Sequence, residues 1–165
     1  MNKSRGGKNV AHIECINPKI GKYRIRWDFE PTYNEEGEVD GVTFMEEDIL
    51  HKPTLQEIKS IVIGGINKQT EEAIQGGFYW RDIPVWLSIE NQLNYKTTYD
   101  IAVQTNGEAL PVIFKFGDED NPKYFKFEDM ETFQDFYFKV VEHINNVLTA
   151  GWSKKDSINW DEYKL

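Results

Sequence analysis

Any chemistry in this chain would have to start from three histidines, one cysteine and two acidic runs. His12, His51 and His143 fall in different segments, with no short metal-ligand spacing between them. His12 precedes Glu14 on one face of an expected strand, a weak pairing that fits surface or half-buried histidines best. A nucleophile pair of Cys15 with His51 or His143 would need the fold to bring distant residues together, and nothing in the spacing asks for it. Asp118-Glu119-Asp120-Asn121 offers oxygens at alternating positions, as calcium loops do. It lacks the central glycine and the terminal glutamate at the required distance, so an acidic hairpin loop is the better reading. Glu35, Glu36, Glu38 and Asp40 read as a solvated loop. A carboxylate pair for glycosidase-type chemistry cannot be picked from 28 acids by spacing alone.

No Gly-x-Gly-x-x-Gly, Walker-type, Gly-x-Ser-x-Gly or His-Glu-x-x-His motif is present. Gly64-Gly65 and Gly76-Gly77 are not phosphate loops, because no lysine followed by serine or threonine comes after them in register. They read as helix packing or helix termination. The expectation is therefore a non-enzymatic protein that needs no cofactor and no metal. A hydrolase built on Cys15 or on carboxylates is the remotest reading.

Aromatic side chains make up 14% of the 165 residues. They supply large burial per residue and are favoured in interfaces. Tyr79, Trp80 and Trp86 crowd one short stretch. They suit three uses: cover for the helices, which is favoured, a protein interface, or a stacking platform for sugar. With Arg81, Trp152 and Trp160 they form the candidate interface set.

The elements that must position these residues follow from periodicity. Residues 1–8 (MNKSRGGK) read as a flexible basic arm. Val10 to Ile16 is an expected strand. Lys22 to Phe29 alternates Tyr23, Ile25, Trp27 and Phe29 with charged residues, the period of a half-buried strand that Pro31 should end. Val42 to Glu47 returns, with Arg24 and Arg26 expected as exposed cross-strand partners of Glu46 and Glu47, each pair worth about 0.2–1 kcal/mol.

Thr54 and Glu57 form a capping box for a helix whose stripe runs from Leu55 to Ile74. Gly64-Gly65 interrupts that stripe, so either the helix breaks or another segment packs close. Gly76-Gly77 ends it. Phe78 to Leu87 reads as two short strands about a turn at Arg81-Asp82. Ser88 caps a helix from Ile89 to Thr105 that stops at Asn106-Gly107. Ala109 to Phe116 and Lys123 to Phe127 form a hairpin. Asp129 caps a last helix that Gly151 should end, and the aromatic tail from Trp152 onward should dock.

The class is α+β: antiparallel β-hairpins and a meander packed with about three α-helices. The expected organisation is an N-terminal β-meander over residues 1–52 and an α+β domain over 53–165, or one continuous domain. The net charge of -9 opposes phosphate backbones, so nucleic-acid binding is not expected. No apolar run reaches membrane-spanning length, and no secretory signal follows the basic start. One cysteine leaves no internal disulfide framework and fits a reducing compartment.

Some stretches also carry a family resemblance. "TLQEIKSIV" leads to "AIQGGFYWRDIPVWLSIENQLNY", then to "TTYDIAVQTNGEALPVIFKFG", "FQDFYFKVVEHINNVL" and "GWSKKDSINW". From about Pro53 to Trp160 this is similar to a family of small domains of unknown function in tailed-phage and prophage genes, often in or near tail and tail-fibre genes. "KYRIRWDF" and "GVTFMEEDILHKPTLQEI" resemble the N-terminal part of related proteins from phages and prophages of gut Bacteroidetes. The Gly-Phe hairpin followed by the Leu-Ser-x-Glu-Asn-Gln helix start is the distinctive pairing. The resemblance implies a structural or accessory role through contacts with phage tail or fibre proteins, with homo-oligomerisation fitting that role. With no secretory signal and no spanning run, the chain is expected in the cytoplasm, which on this resemblance is the bacterial host's, unless a virion carries it out. A carbohydrate-binding module for host attachment is the alternative.

Overall fold

The computed structural model describes residues 2–164. The elements in chain order are β1 (Asn2–Gly6), β2 (Ile13–Asn17), β3 (Lys22–Tyr33), β4 (Val39–Ile49), α1 (Leu55–Gly76), β5 (Phe78–Trp80), β6 (Ile83–Val85), α2 (Ile89–Gln104), β7 (Val112–Gly117), β8 (Pro122–Phe127) and α3 (Met130–Asp156). A short 3-10 helix, Trp160–Tyr163, follows. All strand pairs are antiparallel, and the class is α+β.

The chain divides into two units. The first holds the residues up to Gln69 and those from Gly151 onward, and the second runs from Thr70 to Ala150. The divisions fall within α1 and α3, not after residue 52. The physical reason is burial: Ile58, Val62 and Ile66 of α1 share a core with Ile25, Trp27 and Tyr163.

The first unit is a four-stranded sheet in the order β1-β4-β3-β2. Period-two alternation sends Ile25 and Trp27 into the core and Arg24 and Arg26 to the other face. There Arg24 lies across from Asp48, and Arg26 lies across from Glu46. Arg26 is not the exposed residue the sequence suggests. It is 7% exposed and donates to the Ala11 carbonyl (2.9 Å), Glu14 (2.9 Å) and Glu46 (3.4 Å), with its guanidinium 5.4 Å from the Phe44 ring centre. A buried charge needs such partners. The Arg24 guanidinium holds the Asp48 carboxyl well below the usual carboxylate range.

Three further expectations fail in this unit. Asn2–Gly6, read as part of a flexible arm, pairs with β4. Met1 lies outside the described residues. The strand has no apolar face; instead Lys3 meets Glu30, Arg5 meets Asp40, and Ser4 donates to Glu46. Pro31 does not end β3 but pairs with Val42. β2 covers β3 only up to Ile25, so at Pro31 β3 has a partner strand on one side only, the edge setting in which strands tolerate proline. Last, α3 runs on past Gly151, which is buried, to Asp156.

Gly65 resolves the glycine pair. α1 continues through it, and a Cβ at Gly65 would sit 2.3 Å from Trp27 Cζ2, whereas one at Gly64 would meet nothing within 4 Å. Trp27 Nε1 is buried without a partner among the described residues. The tail docks as expected: Tyr163 is buried and its hydroxyl donates to the Arg26 carbonyl at 2.9 Å.

The α1 start closes its capping box. Glu57 accepts from the Thr54 N–H and hydroxyl, both at 2.8 Å, and faces His51 Nε2 at 2.9 Å. The Thr54 backbone N–H foremost, then its hydroxyl and His51, pull the Glu57 carboxyl down from 4.5 to about 2. A depressed folded pKa means that this contribution is present above 4.5 and is lost as pH falls toward 2. Glu57→Gln is therefore expected to lose less stability than wild type across that window. Urea midpoints measured against pH check it; parallel profiles would contradict it.

The second unit packs the β5–β6 and β7–β8 hairpins against helix. Its core is Phe78, Trp80, Val85, Leu87, Tyr95, Ala102, Phe114, Phe116, Phe127, Phe133, Phe136 and Val140. Burial pushes the Tyr95 phenol up to about 12. Arg81 and Asp82 form the β5–β6 turn with φ of 48° and 63°, the left-handed pair that twists a two-residue hairpin correctly. Neither is glycine. The Arg81 guanidinium lies 5.1 Å from the Trp80 ring centre and 5.3 Å from that of Phe125, a cation–π contact that offsets the backbone cost.

Candidate functional site

Sheet parity sorts the aromatic stretch. Phe78, Trp80, Val85 and Leu87 point inward, while Tyr79 and Trp86 point outward. Trp80 is 1% exposed, with Lys139 Nζ 5.2 Å and Phe136 5.4 Å from its ring centre. It therefore cannot present itself to a partner, which removes it from the candidate interface and from a sugar platform. Arg81 is exposed but serves Trp80 and Phe125. Trp86 is 54% exposed and Tyr79 62%. Tyr79 lies directly across from Pro84 on the outer face of the hairpin.

Trp86 stands beside an open hollow of about 450 Å³. Pro84 and Val85 form its apolar part, and Asn91, Lys115, Asp118 and Glu119 supply polar groups. Local structure fixes each of these. Gly76 ends α1, and a Cβ there would touch Trp86 Cζ3 at 3.4 Å, so the glycine lets the indole lie close. The Gln75 carbonyl accepts from the Leu87 N–H at 2.8 Å. Ser88 caps α2 through the Asn91 N–H, and the Asn91 amide donates to the Trp86 carbonyl at 2.8 Å. These bonds hold the backbone on both sides of the indole.

Lys115 reaches the hollow from β7, whose alternation buries Phe114 and Phe116 and turns Ile113 and Lys115 outward. Asp118 spends an oxygen on the Asn121 N–H at 2.7 Å, while Lys115 and Glu119 have no partner among the described residues. On α2, Ile89 and Leu93 are 72% and 63% exposed and lie four residues apart, hence on one face. The arrangement offers a flat indole, apolar flanks and a few free polar groups. Such groups can stack on a ligand or partner and hydrogen-bond to it.

The other interface candidates belong to the first unit. Trp152 is 55% exposed on α3. Trp160 is half-buried against the first unit's core, under Lys59 Nζ at 5.2 Å. A second hollow of about 450 Å³ is lined by His12, Asp28, Glu162, Lys154 and Tyr163, among others. Its polar groups are already engaged. His12 Nε2 faces Glu162 at 3.0 Å, with its ring against Phe29 and Tyr163. Burial lowers the His12 pKa and Glu162 opposes that shift. Asp28, at φ 57° in a β-bulge, accepts from Lys154 (2.7 Å) and Gln69 (2.9 Å).

The nucleophile pairs are not assembled. Cys15 is exposed and lies across from Tyr23, His51 bonds Glu57, and His143 contacts the Ala73 carbonyl. Among the described residues no group of three or more His, Cys, Asp or Glu could hold a metal ion. Among them, too, no helix is long and apolar enough to cross a membrane.

Sequence reasoning singled out Trp86 but missed Asn91, Lys115 and Glu119 as its neighbours. Lys115 had a signal: it alternates out of phase with Phe114 and Phe116. Its closeness to Trp86 had none, since that depends on β6 lying beside β7. No family model matches the chain, and neither a curated protein nor a solved structure matches it.

Proposed function

We propose that this is a non-enzymatic binding protein, a structural or accessory component of a tailed phage or prophage that acts through protein–protein contacts. The observation that carries the binding role is Trp86, half-exposed and held rigidly beside a hollow with apolar flanks. An ordered aromatic costs little entropy to dock and supplies large contact area, which is why tryptophan anchors interfaces. Tyr79, Ile89 and Leu93 extend the exposed apolar surface of the second unit. The phage assignment draws on the resemblance of the stretch from Gly76 to Gln92 and its flanking helices. On this reading the protein acts in the bacterial host cytoplasm or within the virion, with a tail or fibre protein as partner. Mass spectrometry of particles purified from an induced host that encodes the chain tests it. The chain is expected in the particles or bound to their tail precursors; its absence from both overturns the assignment.

A carbohydrate-binding role is the second reading, favoured by one feature of the hollow. Asn91, Lys115 and Glu119 surround the exposed Trp86 indole, as hydrogen-bonding groups surround a stacking ring at sugar sites. A glycan array probed with wild type and Trp86→Ala decides it. Binding by wild type alone supports a sugar ligand; no binding, or equal binding, removes it.

A further inference from the structure

We propose that copies of this chain associate head to tail, the acidic tip of the β3–β4 hairpin of one copy seating on the outer face of the β7–β8 hairpin of the next. The inference rests on the reading of the protein as a binding protein and names one partner, a second copy.

The two surfaces complement each other in charge and in apolar content. At the β3–β4 tip, Glu35, Glu36 and Glu38 have carboxylates with no partner among the described residues. Most acids along the strands behave differently: Glu30, Asp40, Glu46 and Asp48 each meet a lysine or arginine, and Glu47 alone of the β4 acids has no partner among the described residues. Just behind the tip, Tyr33 and Val39 lie directly across from each other, 61% and 39% exposed. The tip is already ordered, because the Asn34 side-chain oxygen accepts from the Glu36 and Glu38 N–H groups at 3.1 and 2.8 Å. Little conformational entropy is then lost on docking.

The β7–β8 face carries the opposite set. Ile113 lies across from Lys126, and Lys115 lies across from Tyr124. Apolar and cationic groups thus alternate like a checkerboard on one face. Ile113 is 60% exposed and Tyr124 71%. Among the described residues Lys115 has no partner, and Lys126 has only the exposed Glu128 at 2.7 Å. In a chain of net charge -9, four outward strand residues that are two lysines and two apolar groups stand out, even with Glu128 on Lys126 and with Asp118 and Glu119 lining the hollow beside Lys115. The acids of its own turn, Asp118 to Asp120, repel the incoming glutamates and keep them on the strand face.

The contact joins two different surfaces, so each added copy leaves one tip and one face free. A contact between two different surfaces builds rings or open filaments unless a two-fold pairing satisfies both surfaces at once.

Sedimentation velocity on the purified full chain tests the proposal. Wild type is expected to form species larger than a monomer near 100 µM, a concentration roughly suited to a small interface. Raising salt from about 50 mM to about 500 mM should dissociate them, since exposed charges are screened. Lys115→Gln/Lys126→Gln and Glu35→Gln/Glu36→Gln/Glu38→Gln should each weaken association at least about tenfold. Mixing the two variants restores one good contact, the intact tip of the first on the intact face of the second, and should give 1:1 pairs that grow no further. A wild type that stays monomeric at low salt overturns the proposal. So does an oligomer that neither variant disturbs, or a mixture that forms no pairs. The two surfaces share Lys115, but the measurement uses the chain alone and leaves Trp86 unchanged, so a wild type that stays monomeric leaves the Trp86 surface to the test by its own partner.

Discussion

Phe136→Ala is expected to lower the unfolding free energy by about 3–5 kcal/mol, the range for truncating a buried phenylalanine. The upper half of that range applies here for a geometric reason. Phe136 is fully buried, and its ring centre lies 5.1 Å from Phe127, 5.2 Å from Tyr95, 5.3 Å from Phe116 and 5.4 Å from Trp80. A cavity walled by flat, stiff rings collapses less than one walled by aliphatic chains, so more of the lost contact stays lost. Phe136→Leu refills part of the volume and should cost less. Phe138→Ala, two residues on, removes a ring that is 53% exposed and should change stability by no more than about 0.5 kcal/mol. Urea denaturation of the three variants checks the order. A Phe136→Ala protein no less stable than Phe138→Ala would place the core of the second unit elsewhere.

The adjacent glycines of α1 should respond to the same substitution with opposite signs. Gly64→Ala is expected to raise stability by about 0.5–1 kcal/mol, because the position is exposed, helical and open around the new methyl. Gly65→Ala gains the same helix propensity but drives a Cβ to 2.3 Å from Trp27 Cζ2 and 2.9 Å from Nε1. The indole is 1% exposed and sits beside Ile25, Ile58, Val62 and Ile66, so it cannot swing aside. Overpacking costs about 1–3 kcal/mol, and a 2.3 Å approach puts this case at the upper end, which leaves a net loss of about 2 kcal/mol after the propensity gain. The two urea midpoints should move apart. Equal shifts would mean that Trp27 does not pack on Gly65.

These two glycines show how far the sequence reaches. Periodicity places both on a helix and flags the interruption, but which one faces a bulky side chain depends on a residue nearly forty positions away. Most hairpins and helices are legible for the same reason: Phe114 and Phe116, Ile25 and Trp27, and Ser88 with its helix start carry local signals. The failures are also local in origin. β1 has no apolar alternation because its side chains are held by ion pairs with Glu30 and Asp40 rather than by a core. Pro31 reads as a stop, yet is harmless where β3 has a partner on one side only. Gly151 reads as a helix end, yet is buried within α3.

The candidate site was legible in part. Parity along Phe78 to Leu87 separates Trp80, which faces inward, from Trp86, which faces outward. The prevailing sequence expectation made both of them cover for the helices. Trp86 escapes because Val85 and Leu87 on either side of it take the inward positions. The groups that give the site its character, Asn91, Lys115 and Glu119, come from separate elements, and only the fold assembles them.

The proposed role of Trp86 as the anchor of a protein contact is tested most directly by paired affinity capture from an induced phage-bearing host, using immobilised wild type and Trp86→Ala. Trp86 is exposed, so the variant should keep the wild-type urea midpoint to within about 0.5 kcal/mol. Against that unchanged stability, removal of a hot-spot tryptophan costs at least about 2 kcal/mol of binding. Wild type is expected to enrich a tail or fibre protein at least about tenfold over the variant. Equal capture of the same proteins by both would contradict the account.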